Sequence, residues 1–345
     1  ALEARAVGIH LIVAPVLDVN NNPDNPIINT RSFGEDPQQV ARLGRAFIRG
    51  LQEHGGIATG KHFPGHGDTN TDSHLELPVI RASRERLDRI ELEPFRAAVA
   101  EGLAGVMTAH IAIPSLTGDE SLPATLAPQV LDSLLRSDMG FQGLIFTDAM
   151  DMRAIDRRFP RGEATVRAVE AGADVILMPP SLPDALDALM NAVQSGRISE
   201  TRIDASVRRI LQAKVRMGLH EQREVRLDVV PRVVGIPEHQ DLADEIGRRS
   251  ITLLRNEGGL LPLAGTRSAR VLSVSLRRSN DLLAGRTFNA RLRSTYPRLV
   301  TAEVGRDDPA ATWQGLLRQA SQSQLVVLSL HVTWNSYSDE LALPE

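Results

Sequence analysis

Short apolar runs alternate with amphipathic stretches along most of the chain. The runs are rich in Val, Ile, Leu and Met, and they cover residues 11–16, 56–59, 105–109, 143–147 and 174–178. Residues 36–54 are the clearest amphipathic stretch, with Asp36 as a helix N-cap, Pro37 in the first turn and Gly55 after the end. Strands that alternate with helices at this spacing predict a parallel β/α architecture.

Each predicted strand leads into polar side chains suited to chemistry. Asp18 follows the first run, Lys61 and His62 the second, His110 the third and Asp148 the fourth. Catalytic groups of a (β/α)8 TIM-like barrel lie on the loops after its strands, so this pattern favours such a barrel. An open doubly wound sheet is the alternative. Because the runs are too few for eight strands, we expect either that N-terminal strands are missing from this chain or that weak strands escape detection.

The pattern changes after Gly218. Charged residues and prolines without a clear period predict a linker, after which we expect a helix at 241–250 and buried strands at 251–262, 271–276 and 324–330. The predicted organisation is therefore a catalytic barrel at 1–218, a linker at 219–247 and a partial second α/β domain at 248–345.

Composition narrows the classes of function. The net charge is -4 and the basic residues form no stripe, so nucleic acid is not an expected partner. Aromatic residues make up 3% of the chain, which argues against a surface that grips long polysaccharides and favours a small ligand. The absence of cysteine excludes disulfides and thiolate chemistry. No apolar run is long enough to span a membrane. The compartment stays open, because the chain opens inside an apparent helix and we expect its true start upstream of Ala1.

Residues 61–74 mix charged side chains with helix-breaking residues. One lysine, three histidines and two aspartates are interrupted by Pro64, Gly65 and Gly67, so neither helical nor strand periodicity is present. We predict an active-site loop. Lys61 and Lys214 are the only lysines of a chain whose other basic side chains are mostly arginine, which also marks position 61 for function.

Asp72 and His74 in this loop form a candidate acid/base pair. Asp72 can accept a hydrogen bond from one ring nitrogen of His74 while the other nitrogen faces a substrate. The alternative is a solvated histidine with an incidental acidic neighbour. A metal site and a phosphate cradle also compete, but no helical His-x3-His pair and no Gly-Lys-Ser/Thr motif supports them. The metal site would draw its ligands from His62, His66, Asp68, Asp72 and His74.

Two further side chains are candidates. Asp148 ends a buried strand, where a carboxylate can serve as nucleophile or base, although N-capping of a following helix is the simpler explanation. Arg31 follows the asparagine-rich turn at 20–25 and can clamp hydroxyls or a carboxylate, although a surface ion pair is equally compatible.

Taken together, these segments resemble glycoside hydrolase family 3, and specifically its β-N-acetylglucosaminidase branch. The matching sequence pieces are residues 14–19, 31–37, 61–74, 107–110 and 146–148, and residues 251–256 resemble the start of that family's α/β sandwich domain. The resemblance implies Asp148 as nucleophile, an Asp72–His74 acid/base dyad, and sugar binding by Arg31, Lys61, His62 and Asp18, to which we add His110. The family's early Asp-x-Glu-Gly-Gly segment is not in this sequence, so the activity of this chain alone is an open question.

The implied reaction is retaining hydrolysis of a terminal β-linked N-acetylglucosamine, with muropeptide-like peptidoglycan fragments as the natural source and no cofactor. A neutral imidazole base, unlike a carboxylate, does not repel an anionic acceptor such as phosphate. Phosphorolysis is therefore the nearest alternative reaction. A non-catalytic sugar-binding relative is the alternative outside the enzymes, although an acid/base pair is unnecessary for binding alone.

Overall fold

The structure is a computed structural model that describes residues 1–71, 73, 75–160, 162–263, 267–277, 281, 283–305 and 308–331. The chain divides into two compact units, Ala1–Ala243 and Asp244–Glu345. Within the described ranges, no helix combines the length and the apolar character that a membrane span requires.

The first unit is built on a parallel sheet. Its strands are β1 (Leu11–Ile12), β2 (Ile57–Phe63), β3 (Gly105–Thr108), β4 (Leu144–Ala149) and β5 (Val175–Leu177). They lie side by side in chain order, every neighbouring pair is parallel, and the sheet is curled into a half-barrel. The predicted parallel β/α fold is thus confirmed, whereas the complete eight-stranded barrel stays a prediction.

Helices lie before, between and after these strands in the sequence, and the last of them runs across the boundary between the two units. They are α1 (Leu2–Ala6), α2 (Pro37–Glu53), α3 (Arg84–Arg89), α4 (Glu93–Ala100), α5 (Pro114–Thr117), a π-helical segment (Gln129–Asp138), α6 (Arg153–Asp156), α7 (Glu163–Ala171), α8 (Leu182–Gln194), α9 (Glu200–Arg216), α10 (Val230–Val233) and α11 (Pro237–Ser250). The predicted start of α2 is confirmed, because the Asp36 carboxylate accepts a 2.7 Å hydrogen bond from the Gln39 N–H.

The segment after β1 continues alongside β2. The Thr59 N–H donates to the Ala14 carbonyl at 2.8 Å, and the Leu17 N–H donates to the Lys61 carbonyl at 2.7 Å. This pairing places Asp18 beside His62. Lys61 and His62 lie within β2 itself, so the prediction that the whole of 61–74 is a loop was wrong at its start. The strand tolerates these polar residues because its last positions lie at the sheet edge that carries the site.

Apolar side chains fill both sides of the sheet. One large cluster includes Phe63 and Phe95, whose rings meet edge to face with centroids 5.2 Å apart. On the other side, Met107 and Phe146 pack with Ile210 of α9. The strand positions that carry the site are therefore held from both faces.

The second unit contains a three-stranded parallel sheet in the order β7-β6-β8. Its elements are β6 (Val271–Leu276), α12 (Arg286–Thr295), β7 (Leu299–Val304), α13 (Ala310–Ser321) and β8 (Leu325–Leu330). The predicted strands at 271–276 and 324–330 are confirmed. The predicted buried strand at 251–262 was wrong: Ile251 is 79% exposed and Leu254 91% exposed, and no strand forms there. An apolar run needs a neighbouring strand to complete its hydrogen bonds, and local sequence does not reveal whether one is present.

Candidate active site

The predicted polar side chains gather at one edge of the sheet. Lys61 and His62 are at the carboxyl end of β2, His110 follows β3, Asp148 lies near the end of β4, and Asp18 extends the segment after β1. The carboxyl ends of parallel strands meet at one edge, so the order of the strands brings these residues together.

Asp18 is a fully buried carboxylate surrounded by donors. It accepts hydrogen bonds from the His62 N–H at 3.1 Å, from His62 Nδ1 at 2.7 Å and from the His66 N–H at 2.7 Å. Burial raises the pKa of Asp18, but the His62 and His66 imidazoles and these hydrogen bonds outweigh burial and leave the pKa below its ordinary value. Asp18 therefore contacts His62 and His66 rather than solvent.

His62 is held between a carboxylate and a guanidinium. Its Nδ1 donates to Asp18, and its Nε2 lies 3.4 Å from Nη2 of Arg31. Because a carboxylate can only accept, Nδ1 carries a proton, and because a guanidinium can only donate, Nε2 is the acceptor of the long contact. Arg31 is itself steadied by a 3.2 Å hydrogen bond from Nη1 to the Ile27 carbonyl.

Asp148 is a partly exposed carboxylate in the field of several imidazoles. Its Oδ1 accepts a 2.8 Å hydrogen bond from the Ala149 N–H, which fixes the orientation of the group. Burial raises the pKa of Asp148, yet the electrostatic interactions with the His62 and His110 imidazoles and the hydrogen bond from Ala149 outweigh burial and leave the pKa below its ordinary value. Asp148 does not cap the helix that follows, since α6 begins after Met152. The N-cap explanation was therefore wrong.

Lys61 adds a cation to the same edge. Burial lowers the pKa of its ammonium and the positive charge of Arg31 lowers it further, while the carboxylates of Asp148 and Asp18 act in the opposite direction. The edge thus combines the ionised carboxylates of Asp18 and Asp148 with cationic donors suited to hydroxyl or anionic ligands.

His110 is fully buried with both ring nitrogens bonded to the protein. Nε2 donates to the Ala149 carbonyl at 2.9 Å, and Nδ1 lies 2.8 Å from the hydroxyl oxygen of Thr125. Thr125 also contacts the Thr108 hydroxyl at 2.8 Å. The ring therefore braces the end of the strand that carries Asp148.

The predicted acid/base dyad, Asp72 and His74, lies outside the described residues. Ser73, between them in the sequence, is described: its hydroxyl oxygen lies 3.0 Å from Nε2 of the buried His66. The other nitrogen of His66 is 2.8 Å from the Thr69 hydroxyl. Within the part of the chain that the structure describes, no three His, Asp or Glu side chains are grouped to hold a metal ion.

Sequence reasoning missed two supporting residues. The buried Asn25 donates through Nδ2 to the carbonyls of His66 and Gly67, both at 2.9 Å, and its position in an asparagine-rich turn was the available signal. Thr125 had no signal, because its role depends on the fold of a segment remote from His110 in sequence.

Comparisons with known proteins find relatives for most of the chain. Residues 1–213 match the model of the glycosyl hydrolase family 3 N-terminal domain. The chain is 33% identical to a β-N-acetylglucosaminidase/β-glucosidase of Cellulomonas fimi, over 91% of this chain and 57% of that protein.

Solved structures with the same fold include two enzymes with different names. A family 3 β-N-acetylglucosaminidase of Paenibacillus sp. FPU-7 aligns with TM-score 0.84 and 41% identity, over 94% of this chain and 62% of that one. The β-glucoside phosphorylase BglX aligns with TM-score 0.86 and 28% identity, over 98% of this chain and 63% of that one. The chain thus spans less than two thirds of the length of these relatives.

Proposed function

Because the chain belongs to glycosyl hydrolase family 3, we propose that it provides the catalytic residues of a retaining exo-β-N-acetylglucosaminidase, which releases terminal β-linked N-acetylglucosamine. The observation that carries the proposal is the Asp148 carboxylate, which has a lowered pKa and lies at the carboxyl end of β4, at the sheet edge that also carries Lys61, His62 and His110. The names of the Cellulomonas and Paenibacillus relatives support the choice of sugar.

Asp148 is the nucleophile in this proposal. Its carboxylate attacks the anomeric carbon, the glycosidic C–O bond breaks, and a covalent glycosyl-Asp148 ester forms. The 2.8 Å hydrogen bond from the Ala149 N–H to Oδ1 holds the carboxylate in one orientation for this attack. A lowered pKa keeps the group ionised and ready at neutral pH.

The Asp72–His74 pair supplies the proton transfers. Protonated His74 donates to the leaving oxygen in the first step, and the neutral ring then removes a proton from the water that attacks the anomeric carbon and releases Asp148. Asp72 holds the ring in one orientation and stabilises the imidazolium. This assignment is drawn from the sequence motif.

Arg31, Lys61 and His62 are the proposed sugar contacts. Each presents N–H groups or a ring nitrogen at the edge that carries Asp148, and hydroxyls of a sugar can bond to all three. We propose that Asp18 and His110 act through their neighbours, since both are fully buried: Asp18 orients His62, and His110 braces the backbone at Ala149. Muropeptide-like fragments are the proposed natural substrates, by analogy with the family.

Phosphorolysis is a second candidate because a structural relative is named as a β-glucoside phosphorylase. In that reaction a phosphate oxygen, in place of water, attacks the anomeric carbon of the glycosyl-Asp148 ester. The bond from that carbon to Asp148 breaks, which restores the carboxylate and releases sugar 1-phosphate. The phosphate needs no deprotonation by His74, and the cations at this edge favour an anionic acceptor.

Release of nitrophenol from an aryl β-N-acetylglucosaminide, with and without phosphate and beside the matching glucoside, tests the proposal. Phosphate-independent cleavage of the acetamido sugar supports hydrolysis, and phosphate-dependent formation of sugar 1-phosphate would assign a phosphorylase instead. Calorimetric binding of N-acetylglucosamine without turnover would favour a sugar-binding protein.

Asp148→Ala tests the nucleophile directly. We expect at least about a thousandfold loss of turnover and no glycosyl-enzyme in intact-mass spectra, because the attacking carboxylate is gone. Asp151→Ala is the matched control: this exposed aspartate lies three positions later in the sequence, and its removal should leave turnover unchanged. Full activity of Asp148→Ala would refute the assignment.

A further inference from the structure

His66 is a buried histidine whose ring joins two hydroxyls. Its Nδ1 is 2.8 Å from Thr69 Oγ1, and its Nε2 is 3.0 Å from Ser73 Oγ. The Thr69 hydroxyl also lies 3.1 Å from the His66 carbonyl, to which it donates. Thr69 can donate its proton to that carbonyl and accept from the Nδ1–H group of the ring.

This arrangement accommodates the tautomer of His66 that carries its proton on Nδ1. With Nδ1 protonated, Nε2 of the neutral ring has a lone pair, so the Ser73 hydroxyl donates its proton to Nε2. Burial lowers the pKa of His66 to about 4, which keeps the ring neutral at ordinary pH. Ser73 is 2% exposed, so water competes little for its hydroxyl.

The backbone of His66 is anchored as firmly as its ring. Its N–H donates to the Asp18 carboxylate at 2.7 Å, and its carbonyl accepts from Asn25 at 2.9 Å. Neighbouring Gly67 packs so tightly that an added Cβ would lie 1.7 Å from the Val19 carbonyl oxygen. Ser73 is thus hydrogen-bonded to a residue whose own position is fixed by contacts outside residues 61–74.

We propose that His66 is a positioning residue for acid/base catalysis: through the Ser73 hydroxyl it holds the backbone that carries Asp72 and His74. Consecutive Cα atoms are about 3.8 Å apart, so fixing Ser73 restricts the attachment points of both neighbours. The inference rests on the proposed function, because it gains its meaning from the acid/base role of His74.

A positioning role of this kind has a kinetic signature. An aryl glycoside with a good leaving group, such as 2,4-dinitrophenyl β-N-acetylglucosaminide, needs little protonation when its glycosidic bond breaks. The disaccharide of β-1,4-linked N-acetylglucosamine needs a proton on its leaving oxygen. Loss of the hydrogen bond between Ser73 and His66 should therefore lower kcat for the disaccharide. Formation of the glycosyl-enzyme from the activated substrate should be little affected.

The experiment compares Ser73→Ala and His66→Gln with the wild-type full-length protein on both substrates. We expect kcat on the disaccharide to fall about 10- to 100-fold in Ser73→Ala, since a displaced catalytic group loses rate on that scale. The pre-steady-state burst with the activated substrate should change less than about threefold. His66→Gln should retain part of the rate, because its amide oxygen can accept the Ser73 proton.

Thr71→Ala and His74→Ala are the controls. The Thr71 hydroxyl contacts Asn70 at 3.4 Å, so its removal should leave both rates unchanged. Equal loss on both substrates in Ser73→Ala, or no loss on either, would overturn the positioning role while a leaving-group-selective His74→Ala keeps the proposed function intact. Wild-type rates in His74→Ala would instead refute the proposed role of His74 as the acid. Nitrogen-15 NMR supplies a readout independent of turnover, because Ser73→Ala should shift His66 Nε2 and leave Nδ1 protonated.

Discussion

The burial of His66 makes a defined contribution to the pH dependence of stability. The ordinary pKa of a histidine is near 6.5, and burial lowers that of His66 to about 4 in the folded protein. Between these values the unfolded chain binds a proton that the folded protein does not, so acidification favours unfolding. His66 should therefore weaken stability progressively as pH falls from 6.5 to 4.

The size of this effect follows from the two pKa values. Relative to pH 7, the linkage relation gives a loss of about 2 kcal/mol at pH 5 and about 3 kcal/mol at pH 4 from this one residue. His66→Gln has no titrating group at this position. Between pH 7 and pH 5 or pH 4, the free energy of unfolding of this variant should consequently fall by about 2 or about 3 kcal/mol less than that of the wild type. This difference does not depend on the stability of the variant at pH 7.

Hydrogen exchange measured by mass spectrometry on peptides from β2 tests this prediction. It reports the free energy of opening of the first unit. Tryptophan fluorescence does not report this free energy, because both tryptophans of the sequence come after the residues that form the first unit. The difference between wild type and His66→Gln cancels the titration of all other groups. Parallel pH profiles for the two proteins would show that His66 is not held neutral and would refute the reasoning.

Further substitutions test the packing around Gly67 and a buried ion pair. Gly67→Ala should destabilise the first unit by at least about 3 kcal/mol, because its Cβ would lie 1.7 Å from the Val19 carbonyl oxygen. Its control Gly50→Ala, in open space on α2, should stabilise the unit by about 0.5–1 kcal/mol, and equal effects of the two variants on urea unfolding would contradict the packing. Asp174→Asn should cost about 3–5 kcal/mol, because the side chain of Asp174 is fully buried and accepts a 2.6 Å hydrogen bond from Arg136, whose charge would lose its carboxylate partner. A wild-type urea midpoint would refute this.

The sequence predicted the sheet well because burial leaves a local signature. The runs that became β2 to β5 are short, apolar and bounded by helical stretches, and their order along the chain is also their order in the sheet. The failure at 251–262 has the opposite cause: its apolar residues resemble a strand, but strand formation depends on a partner elsewhere in the chain. The start of the loop at 61–74 was misplaced because a strand end can carry polar residues when they face a site.

The candidate site was predicted in its residue types and less in its connections. Asp148 was located from a strand that ends in a carboxylate, which is a local pattern. The contact between Asp18 and His62 depends on how the segment after β1 pairs with β2, which no local pattern encodes. No local pattern encodes the contact between His110 and Thr125 either, because it requires the segment that carries Thr125 to pack against the end of β3.

Asp18 connects the proposed sugar-binding residues with the residues that hold the proposed acid/base pair. A fully buried carboxylate remains ionised only when donors compensate for the loss of water, and among the residues that the structure describes these donors come from His62 and His66. His62 belongs to the proposed sugar-binding group, and His66 leads through Ser73 to the proposed acid/base pair. The electrostatic demand of one buried charge therefore fixes both groups relative to each other. This explains why an aspartate out of reach of solvent stands at the centre of a site whose proposed work is done on a sugar.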